Sequence, residues 1–432
     1  MKRKITKELV YWKHKPSGRM PLLVYGARQV GKTYIIREFG KQHYKNVAYF
    51  NLETNESLSS YFAENIEPMR IIRYLETESS ERIIPGETLI ILDEIQTCER
   101  ALTSLKYFNE EVPQFHIIGA GSLLGVAINR ERYSFPVGNV DSLTLFPMDF
   151  EEYLWALTEE GLCEEIRIAF QCDEPLPAAL HEKALDLYRR YLIIGGMPRV
   201  VMEYLDTKSF LTIPDVQSRI MNDYIADMAK YATNTESIKI RAAFDSIPVQ
   251  LAKENKKFQY KHAQKGGTAT IFGPAIEWLE SAGIVNKCQR IEHGNMPIAV
   301  YRDLSSFKLY MGDTGLLTMK SKISQQTILS AGIIENTFIG FVSENYVAQA
   351  FANNRYGLYY WTNEGTAELD FVLQMDNDII AVEVKTGERV RSRSLNMFIE
   401  KYKPAYSIRI SSKNFGFENK IKSVPLYAVF CI

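Results

Sequence analysis

The stretch Gly26-Ala27-Arg28-Gln29-Val30-Gly31-Lys32-Thr33 follows the apolar run Leu22–Val24. An apolar strand that runs into such a turn is typical of a phosphate-binding loop, whose backbone amides cradle a polyphosphate. We expect Lys32 to reach the β and γ phosphates of ATP and the Thr33 hydroxyl to bind Mg²⁺. The helical periodicity that begins at Tyr34 would add the positive end of a helix dipole. The whole stretch and Tyr34 are therefore predicted to bind the nucleotide.

A second apolar run supplies the acids that such a site needs. Thr88–Leu92 is predicted to form a buried strand, and Asp93 and Glu94 follow it directly. A carboxylate at the end of a buried strand can hold Mg²⁺ through its water shell, and a neighbouring carboxylate can activate the attacking water. We assign Asp93 to the metal and Glu94 to the water.

A third run, Phe115–Gly119, is predicted to form another strand of the same sheet and is followed by Ser122. If this strand lies between the other two, Ser122 could sense the γ phosphate; it could equally cap the helix that starts at Leu123. Further on, Arg130 and Arg132 could act as an arginine finger for a neighbouring subunit, or be solvated surface groups.

Composition narrows the class of protein. A chain of 432 residues suggests about three domains, and 46% hydrophobic residues without low-complexity tracts indicate globular ones. No apolar run reaches the length of a membrane span, and the N-terminus has no apolar signal segment, so a cytoplasmic protein without a membrane partner is expected. The five cysteines are scattered, which argues against a zinc site or a disulfide framework.

Between Lys385 and Lys422, ten Lys or Arg residues stand against three Glu, so a nucleic-acid surface is expected toward the C-terminal end.

Five motifs together resemble the AAA-type ATPases, and specifically the bacterial and archaeal family that joins an ATPase core to a C-terminal domain of unknown function. The motifs are Gly26–Thr33, Leu92–Gln96, Gly119–Ser122, Phe146–Tyr153 and Tyr191–Pro198. The chain departs from the family in one place, because Asn139 follows Gly138 where relatives often carry a basic residue.

The resemblance implies an α/β fold: a P-loop AAA-type parallel sheet with a helical lid, a winged-helix domain and an α/β C-terminal domain. The expected domains are an ATPase core (1–147), a helical lid (148–230), a winged-helix-like domain (231–330) and a nuclease-like domain (331–432). It further implies that Pro198 packs near the base or ribose and that Arg199 reaches the phosphates. A plain loop between helices is the alternative for Arg199. Self-association into a homo-oligomer is a further possibility.

The region before the C-terminal domain has short helices followed by a predicted hairpin, and the stretch from Lys253 to Lys265 carries five lysines against one glutamate. This pattern indicates a winged helix that could contact DNA through its phosphates. Winged helices also serve as protein-contact modules, and Glu277 and Glu280 on the helix of Trp278 would repel phosphate.

The C-terminal region has its own set of acids. An amphipathic helix carrying Glu344 is predicted, followed by a three-stranded meander with a tight turn at Asp376–Asp378. Alternation places Glu383 and Lys385 on one face of the last strand, where Asp370 can meet them from the paired strand. The alternative is that Glu383 and Lys385 are ordinary partners on a solvated sheet face.

This arrangement is similar to the core of restriction-endonuclease-like nucleases. The similarity implies that Asp370 and Glu383 bind Mg²⁺, that Lys385 activates the attacking water or holds the phosphate, and that Glu344 completes the metal site. The basic tail, with Arg389, Arg391, Arg393, Lys401 and Lys403, would hold a polyanion.

The sequence therefore predicts an ATP-hydrolysing protein whose C-terminal domain binds or cleaves nucleic acid, with DNA the favoured type. A degraded site that binds DNA without cutting is one alternative. The other is a nucleotide-dependent signalling or scaffold switch whose C-terminal domain contacts protein partners.

Overall fold

A computed structural model describes residues 1–128, 136–230, 232–330, 337–363, 367–386 and 393–432. The chain divides into two compact units: Met1–Phe146 with Ser281–Gly283, and Pro147–Glu280 with Ile284–Ile432. Among the helices of the described segments, none combines the length and the apolar character needed to cross a membrane.

The first unit contains a five-stranded parallel sheet and its helices. Its elements are α1 (Ile5–Lys13), β1 (Leu22–Tyr25), α2 (Lys32–His43), β2 (Asn46–Asn51), α3 (Glu56–Glu64), α4 (Pro68–Ser79), β3 (Thr88–Asp93), α5 (Glu99–Glu111), β4 (His116–Ala120), α6 (Leu124–Ile128) and β5 (Asp141–Thr144). The strand order is β2-β3-β4-β1-β5, and every neighbouring pair is parallel.

The central strands of this sheet are buried along their length, as expected when helices cover both faces of a parallel sheet. On α2, the buried residues Ile35, Ile36 and Phe39 recur at helical spacing and fix the helix against the sheet. Strand β4 lies between β3 and β1, which is the position that the γ-phosphate hypothesis for Ser122 requires. The predicted α/β class with a parallel P-loop sheet is confirmed.

The second unit begins with helices and continues with two mixed sheets. Its helices are α7 (Phe150–Ala156), α8 (Glu160–Cys172), α9 (Ala178–Ile194), α10 (Pro198–Thr207), α11 (Ile213–Lys230), α12 (Asn234–Leu251), α13 (Tyr260–Ala263), α14 (Ala269–Ser281), α15 (Thr314–Lys320), α16 (Gln325–Leu329), α17 (Thr337–Asn353) and α18 (Arg393–Tyr402). Its strands are β6 (Val285–Ile291), β7 (Arg302–Met311), β8 (Tyr359–Asn363), β9 (Ala367–Leu369), β10 (Phe371–Met375), β11 (Asp378–Val384), β12 (Ser407–Ser411), β13 (Gly416–Glu418) and β14 (Ile421–Pro425).

One sheet has the order β7-β6-β8-β9 and the other the order β10-β11-β12-β14-β13. Helices α12 to α14 and the antiparallel β6–β7 hairpin follow one another in the order of a winged helix. The same hairpin also pairs with β8, across the predicted boundary at residue 330. The division of residues 148–432 into lid, winged helix and nuclease-like domain stays a prediction.

The predicted three-stranded meander is wrong in one respect. Its middle strand is interrupted at Asp370, so that β9 pairs with β8 in one sheet and β10 pairs with β11 in the other. Leu369 and Phe371, on either side of the break, are both fully buried. When both faces of a strand are buried, its apolar residues continue without a break from one sheet to the next. The alternation of apolar and polar residues in the sequence therefore does not show where the strand leaves the first sheet. The tight turn after Met375 is present, with Asp376 in the left-handed region at φ 50°.

The predicted amphipathic helix around Glu344 is also different. In α17 every residue from Phe341 to Phe351 is buried, including the polar residues. Buried polar groups are normally hydrogen-bonded, and these are: Asn345 Oδ1 accepts from the Met311 N–H at 2.7 Å, and Gln349 Oε1 accepts from the Thr314 N–H at 2.9 Å. The polar positions of α17 therefore face partners within the protein.

A tight turn at Gly196 joins α9 to α10. The Gly196 carbonyl accepts from the Met148 N–H at 2.7 Å, and its N–H donates to Asp313 Oδ2 at 2.6 Å. A Cβ at Gly196 would lie 1.9 Å from the Met148 carbonyl oxygen. Backbone atoms cannot move aside as a flexible side chain can, so the sequence needs glycine here.

We expect Gly196→Ala to lower the free energy of unfolding by about 1–3 kcal/mol, because the added methyl group forces the backbone at Met148 apart. Thermal melting followed by circular dichroism measures this. Gly161→Ala, within α8, is the matched control, since a Cβ there meets nothing within 4 Å and alanine favours the helix, so stability should stay equal or rise by up to about 1 kcal/mol. Equal melting temperatures for the two variants would contradict the expectation.

Candidate functional site

The phosphate-binding loop spans the end of β1 and the start of α2. Gly31, with φ 93°, precedes the first residue of α2, and Gly26 has φ 141°. A Cβ at Gly26 would lie 2.1 Å from the Leu145 carbonyl oxygen, so the first loop position needs glycine. Lys32 is buried, and its ammonium donates to the carbonyl oxygens of Gly26 at 2.9 Å and Ala27 at 2.8 Å. The loop thus holds its lysine folded back over itself.

Thr33 and Asp93, the two residues predicted to bind Mg²⁺ beside the nucleotide, are in direct contact. The Thr33 hydroxyl donates to Asp93 Oδ2 at 2.8 Å. Asp93 ends β3 and is buried, while Thr33 stands on the first turn of α2. A hydroxyl and a carboxylate are ligands that suit Mg²⁺. The residues therefore fit the cation that accompanies ATP.

Glu94 lies beside this pair with its backbone in the left-handed region, at φ 51°. Its Oε2 accepts from the Gln96 side-chain amide at 2.6 Å, and the Ser122 hydroxyl lies 3.5 Å from the same oxygen. Strain of this kind costs about 1–3 kcal/mol and persists where the surroundings impose it. The structure thus gathers Lys32, Thr33, Asp93, Glu94 and Ser122, whose individual roles stay predictions.

Sequence reasoning missed Tyr49. Its hydroxyl donates to Asp93 Oδ2 at 2.8 Å, and the Arg37 guanidinium lies over its ring at 4.7 Å. Burial and the hydrogen bond to Asp93 raise the pKa of Tyr49, so the hydroxyl stays a donor. Tyr49 is partly exposed between the buried Ala48 and Phe50. The apolar run Val47–Phe50 carries no sequence signal that marks it.

The predicted lid residues lie at the start of α10. Pro198 is the first residue of the helix, where its missing N–H costs nothing, and Arg199 is exposed. Burial raises the pKa of Asp313, which holds the preceding turn, to about 6, although the N–H groups of Gly196, Leu316 and Gly315 oppose the rise. The nucleotide contacts of Pro198 and Arg199 stay predictions. Arg130 and Arg132, the candidate fingers, lie outside the described residues, as do Arg389 and Arg391 of the basic tail.

In the second unit, β10 and β11 bring Asp370 and Glu383 together. Phe371 pairs with Val382, which places the two acids next to each other at the end of the ladder. Asp370 Oδ2 accepts from the Val384 N–H at 2.8 Å, and Lys385 Nζ lies 3.3 Å from Glu383 Oε1. The Glu383 side chain is buried, whereas that of Lys385 is 42% exposed.

Burial on its own shifts the pKa values of Asp370 and Lys385 in opposite directions. Burial raises the pKa of Asp370 to about 6, and the charge of Glu344 adds to the rise, while Lys256 and Lys308 oppose it. Burial alone would lower the pKa of Lys385, but Glu383 and Asp370 outweigh it, and the pKa is raised. Lys385 therefore keeps its charge beside the two acids.

Glu344 has other partners. The Tyr310 hydroxyl donates to Glu344 Oε1 at 2.5 Å, the Lys308 ammonium lies 3.2 Å from the same oxygen, and the Lys256 ammonium donates to Oε2. Burial alone would raise the pKa of Glu344, but Lys256 and Lys308 hold it down at about 2. Lys256, which the sequence places in a stretch suited to phosphates, has a side chain only 20% exposed.

Sequence reasoning missed Lys308 and Tyr310. The signal was a single lysine inside the apolar run Phe307–Met311, because an isolated charge in such a strand is seldom fully buried without a partner. In the part of the chain that the structure describes, no group of three or more His, Cys, Asp or Glu side chains is arranged to hold a metal ion. The metal-binding roles of Asp370 and Glu383 stay predictions.

Three family models match the chain. An AAA domain matches residues 18–154, and two domains of unknown function, DUF8612 and DUF4143, match residues 185–327 and 339–429. No curated protein matches the chain in sequence.

Several solved structures are similar to parts of it. The Walker-type ATPase PABY2304 of Pyrococcus abyssi is 15% identical, over 74% of this chain and 95% of that one, with a TM-score of 0.44. The ORC2 protein of Aeropyrum pernix, in ADPNP–ADP complexes, is 11% identical over 76% and 93%, with a TM-score of 0.38. AMPPCP-bound DnaA of Aquifex aeolicus is 15% identical over 64% and 86%, with a TM-score of 0.29.

The family match over residues 18–154 covers the strand order and the site described above. It includes the phosphate-binding loop, the two acids that follow β3, and Ser122 after β4. Residues 18–154 of this chain therefore match an AAA domain and have the α/β fold with the parallel sheet of P-loop AAA ATPases.

Proposed function

We propose that the first unit binds ATP with Mg²⁺ and hydrolyses it. The observation that carries the proposal is the contact between the Thr33 hydroxyl and Asp93 Oδ2, at 2.8 Å, with Glu94 as the next residue. It unites a loop residue, a strand-end acid and a second acid, which are the parts that phosphoryl transfer to water requires.

Each residue then has a distinct role. Bound Mg²⁺ neutralises charge that develops on the phosphate oxygens. Lys32 leaves the carbonyl oxygens of Gly26 and Ala27 and donates to the phosphates, where charge-assisted bonds are stronger. Glu94, oriented by the Gln96 amide, accepts the proton of the attacking water. Ser122 donates toward the γ phosphate.

The test is phosphate release from ATP by the full-length protein, with Mg²⁺ and with excess EDTA. We expect turnover that depends on both ATP and Mg²⁺. Binding of ATP without any turnover, under conditions in which the protein is folded, would reduce the proposal to a nucleotide-binding switch.

We also propose that the C-terminal domain binds or cleaves nucleic acid. Support comes from the order helix, four strands, helix, strand in α17 to β12, with β11 antiparallel to β10 and parallel to β12. Asp370, Glu383 and Lys385 meet at this point, and Lys385 has an exposed side chain that a phosphate can reach. Lys401 on α18 and Lys403 just after it add positive charge.

We expect full-length protein to shift labelled DNA in an electrophoretic assay, with affinity that falls as salt rises, because the contacts are mainly to phosphates. Lys385→Ala should weaken binding by about tenfold at most, since one exposed cation contributes part of the total. Plasmid nicking in Mn²⁺, lost in Asp370→Ala or Glu383→Ala while ATP hydrolysis persists, would establish cleavage. If the protein neither binds nor nicks DNA, the result favours the alternative of a nucleotide-dependent switch whose C-terminal domain contacts protein partners.

A further inference from the structure

Lys308 is a charged residue in the interior of the second unit. Its side chain is 0% exposed. The ammonium lies 3.2 Å from Glu344 Oε1, 2.6 Å from Glu368 Oε1 and 4.8 Å from the centre of the Tyr360 ring. A group so enclosed cannot reach a phosphate of a bound nucleic acid. Its partners are within the protein.

Lys308 and its two ionic partners come from separate elements. Lys308 belongs to β7, Glu344 to α17 and Glu368 to β9. Strands β7 and β9 are the two outer strands of the four-stranded sheet. The Lys308 ammonium therefore links both edges of this sheet to α17. An ion with carboxylates on two sides takes the position that a bound metal takes in a site built from acids.

Glu344 is unsuited to a metal in this setting. Oε1 receives the Tyr310 hydroxyl and faces Lys308, and Oε2 receives Lys256. A divalent cation at Glu344 would have to displace these donors and would be repelled by two ammonium groups. The residues therefore do not fit a metal site that includes Glu344, although the resemblance to restriction-endonuclease-like nucleases implies one.

We propose that Lys308 is an internal counter-ion that takes the place of a divalent metal at Glu344 and Glu368, so that Glu344 is a structural residue and no metal ligand. This deepens the second proposal, on which it rests for assigning these acids to a nuclease-like site. Any cation that the site accepts is then confined to Asp370 and Glu383, beside Lys385. Glu344 and Glu368 hold the Lys308 ammonium whether or not nucleic acid binds.

The test compares Mn²⁺ binding, by calorimetry on nucleotide-free full-length protein, in the wild type, Glu344→Gln and Lys308→Met. Mn²⁺ bound at Thr33 and Asp93 contributes equally in all three. We expect Glu344→Gln to leave the affinity within about twofold. Lys308→Met should gain roughly tenfold or more, because the buried Glu344 and the partly exposed Glu368 lose the ammonium between them, and Mn²⁺ should raise its melting temperature. Lys308→Arg keeps the charge and should gain nothing, and exposed Lys265→Met is the control for net charge.

A tenfold or greater loss of Mn²⁺ affinity in Glu344→Gln would overturn the proposal, as would a folded Lys308→Met without any gain. If Lys308→Met does not fold, the Glu344→Gln titration decides alone. Because no nucleic acid enters the experiment, failure of the second proposal in a DNA assay leaves these outcomes unchanged.

Discussion

Lys32→Ala is expected to abolish ATP hydrolysis and to weaken ATP binding by about 10–100-fold or more, since a hydrogen bond to a charged group contributes about 1.5–3 kcal/mol. The ammonium is held over the loop by the carbonyl oxygens of Gly26 and Ala27, within reach of phosphates bound there. Removing it takes away a loop ammonium that opposes the phosphate charge directly.

The measurement is the equilibrium binding of a fluorescent ATP analogue together with phosphate release. Lys41→Ala is the matched control, because Lys41 lies on the same helix, is 63% exposed and pairs only with Glu38 among the ion pairs described. Its binding and turnover should be those of the wild type. A circular dichroism melt of Lys32→Ala guards against misfolding, since the substitution also leaves two carbonyl oxygens without their donor. Wild-type affinity in a folded Lys32→Ala would contradict the assignment.

The nucleotide site could be predicted because its parts are local in sequence. The loop, Asp93, Glu94 and Ser122 each follow directly after an apolar strand, and the carboxyl ends of parallel strands meet at one edge of a sheet. Knowing which strands are adjacent is then enough to place the residues together. Tyr49 was not predicted because it lies within β2, and its hydroxyl contacts Asp93 at the end of the neighbouring strand β3. No local sequence motif marks such a contact.

The cluster of charged residues around Asp370, Glu383 and Glu344 could be predicted only in part, because some of its contacts join residues that are far apart in sequence. Asp370, Glu383 and Lys385 belong to one hairpin, whose register follows from alternation and a short turn. Glu344 meets Lys308 and Lys256 from parts of the chain far apart in sequence. The pairing of β6 with β8, at residues 289–291 and 359–361, joins the same two regions. Such pairing depends on long-range packing, which periodicity does not reveal. The same packing buries α17 on all sides, where the sequence predicts one polar face.

Glu94→Gln has the second large expected effect: ATP binding should persist while hydrolysis falls by about 10²–10⁴-fold, the contribution typical of a general base. The amide has nearly the shape of the carboxylate, and its oxygen can still accept from the Gln96 amide that now holds Glu94 at 2.6 Å. The site should therefore keep its geometry and lose only the group that takes the proton of water.

The separation of binding from turnover is what identifies the role of Glu94. Lys32 acts on the phosphates before and during the reaction, so its loss affects binding, whereas a group that acts only on the water affects the rate alone. Single-turnover hydrolysis and ATP retention after gel filtration measure the two quantities on one sample. Glu99→Gln, an exposed acid at the start of α5, is the matched control and should hydrolyse ATP normally. Normal turnover in Glu94→Gln would transfer the water-activating role to another residue, and loss of binding would make Glu94 part of the phosphate or metal site instead.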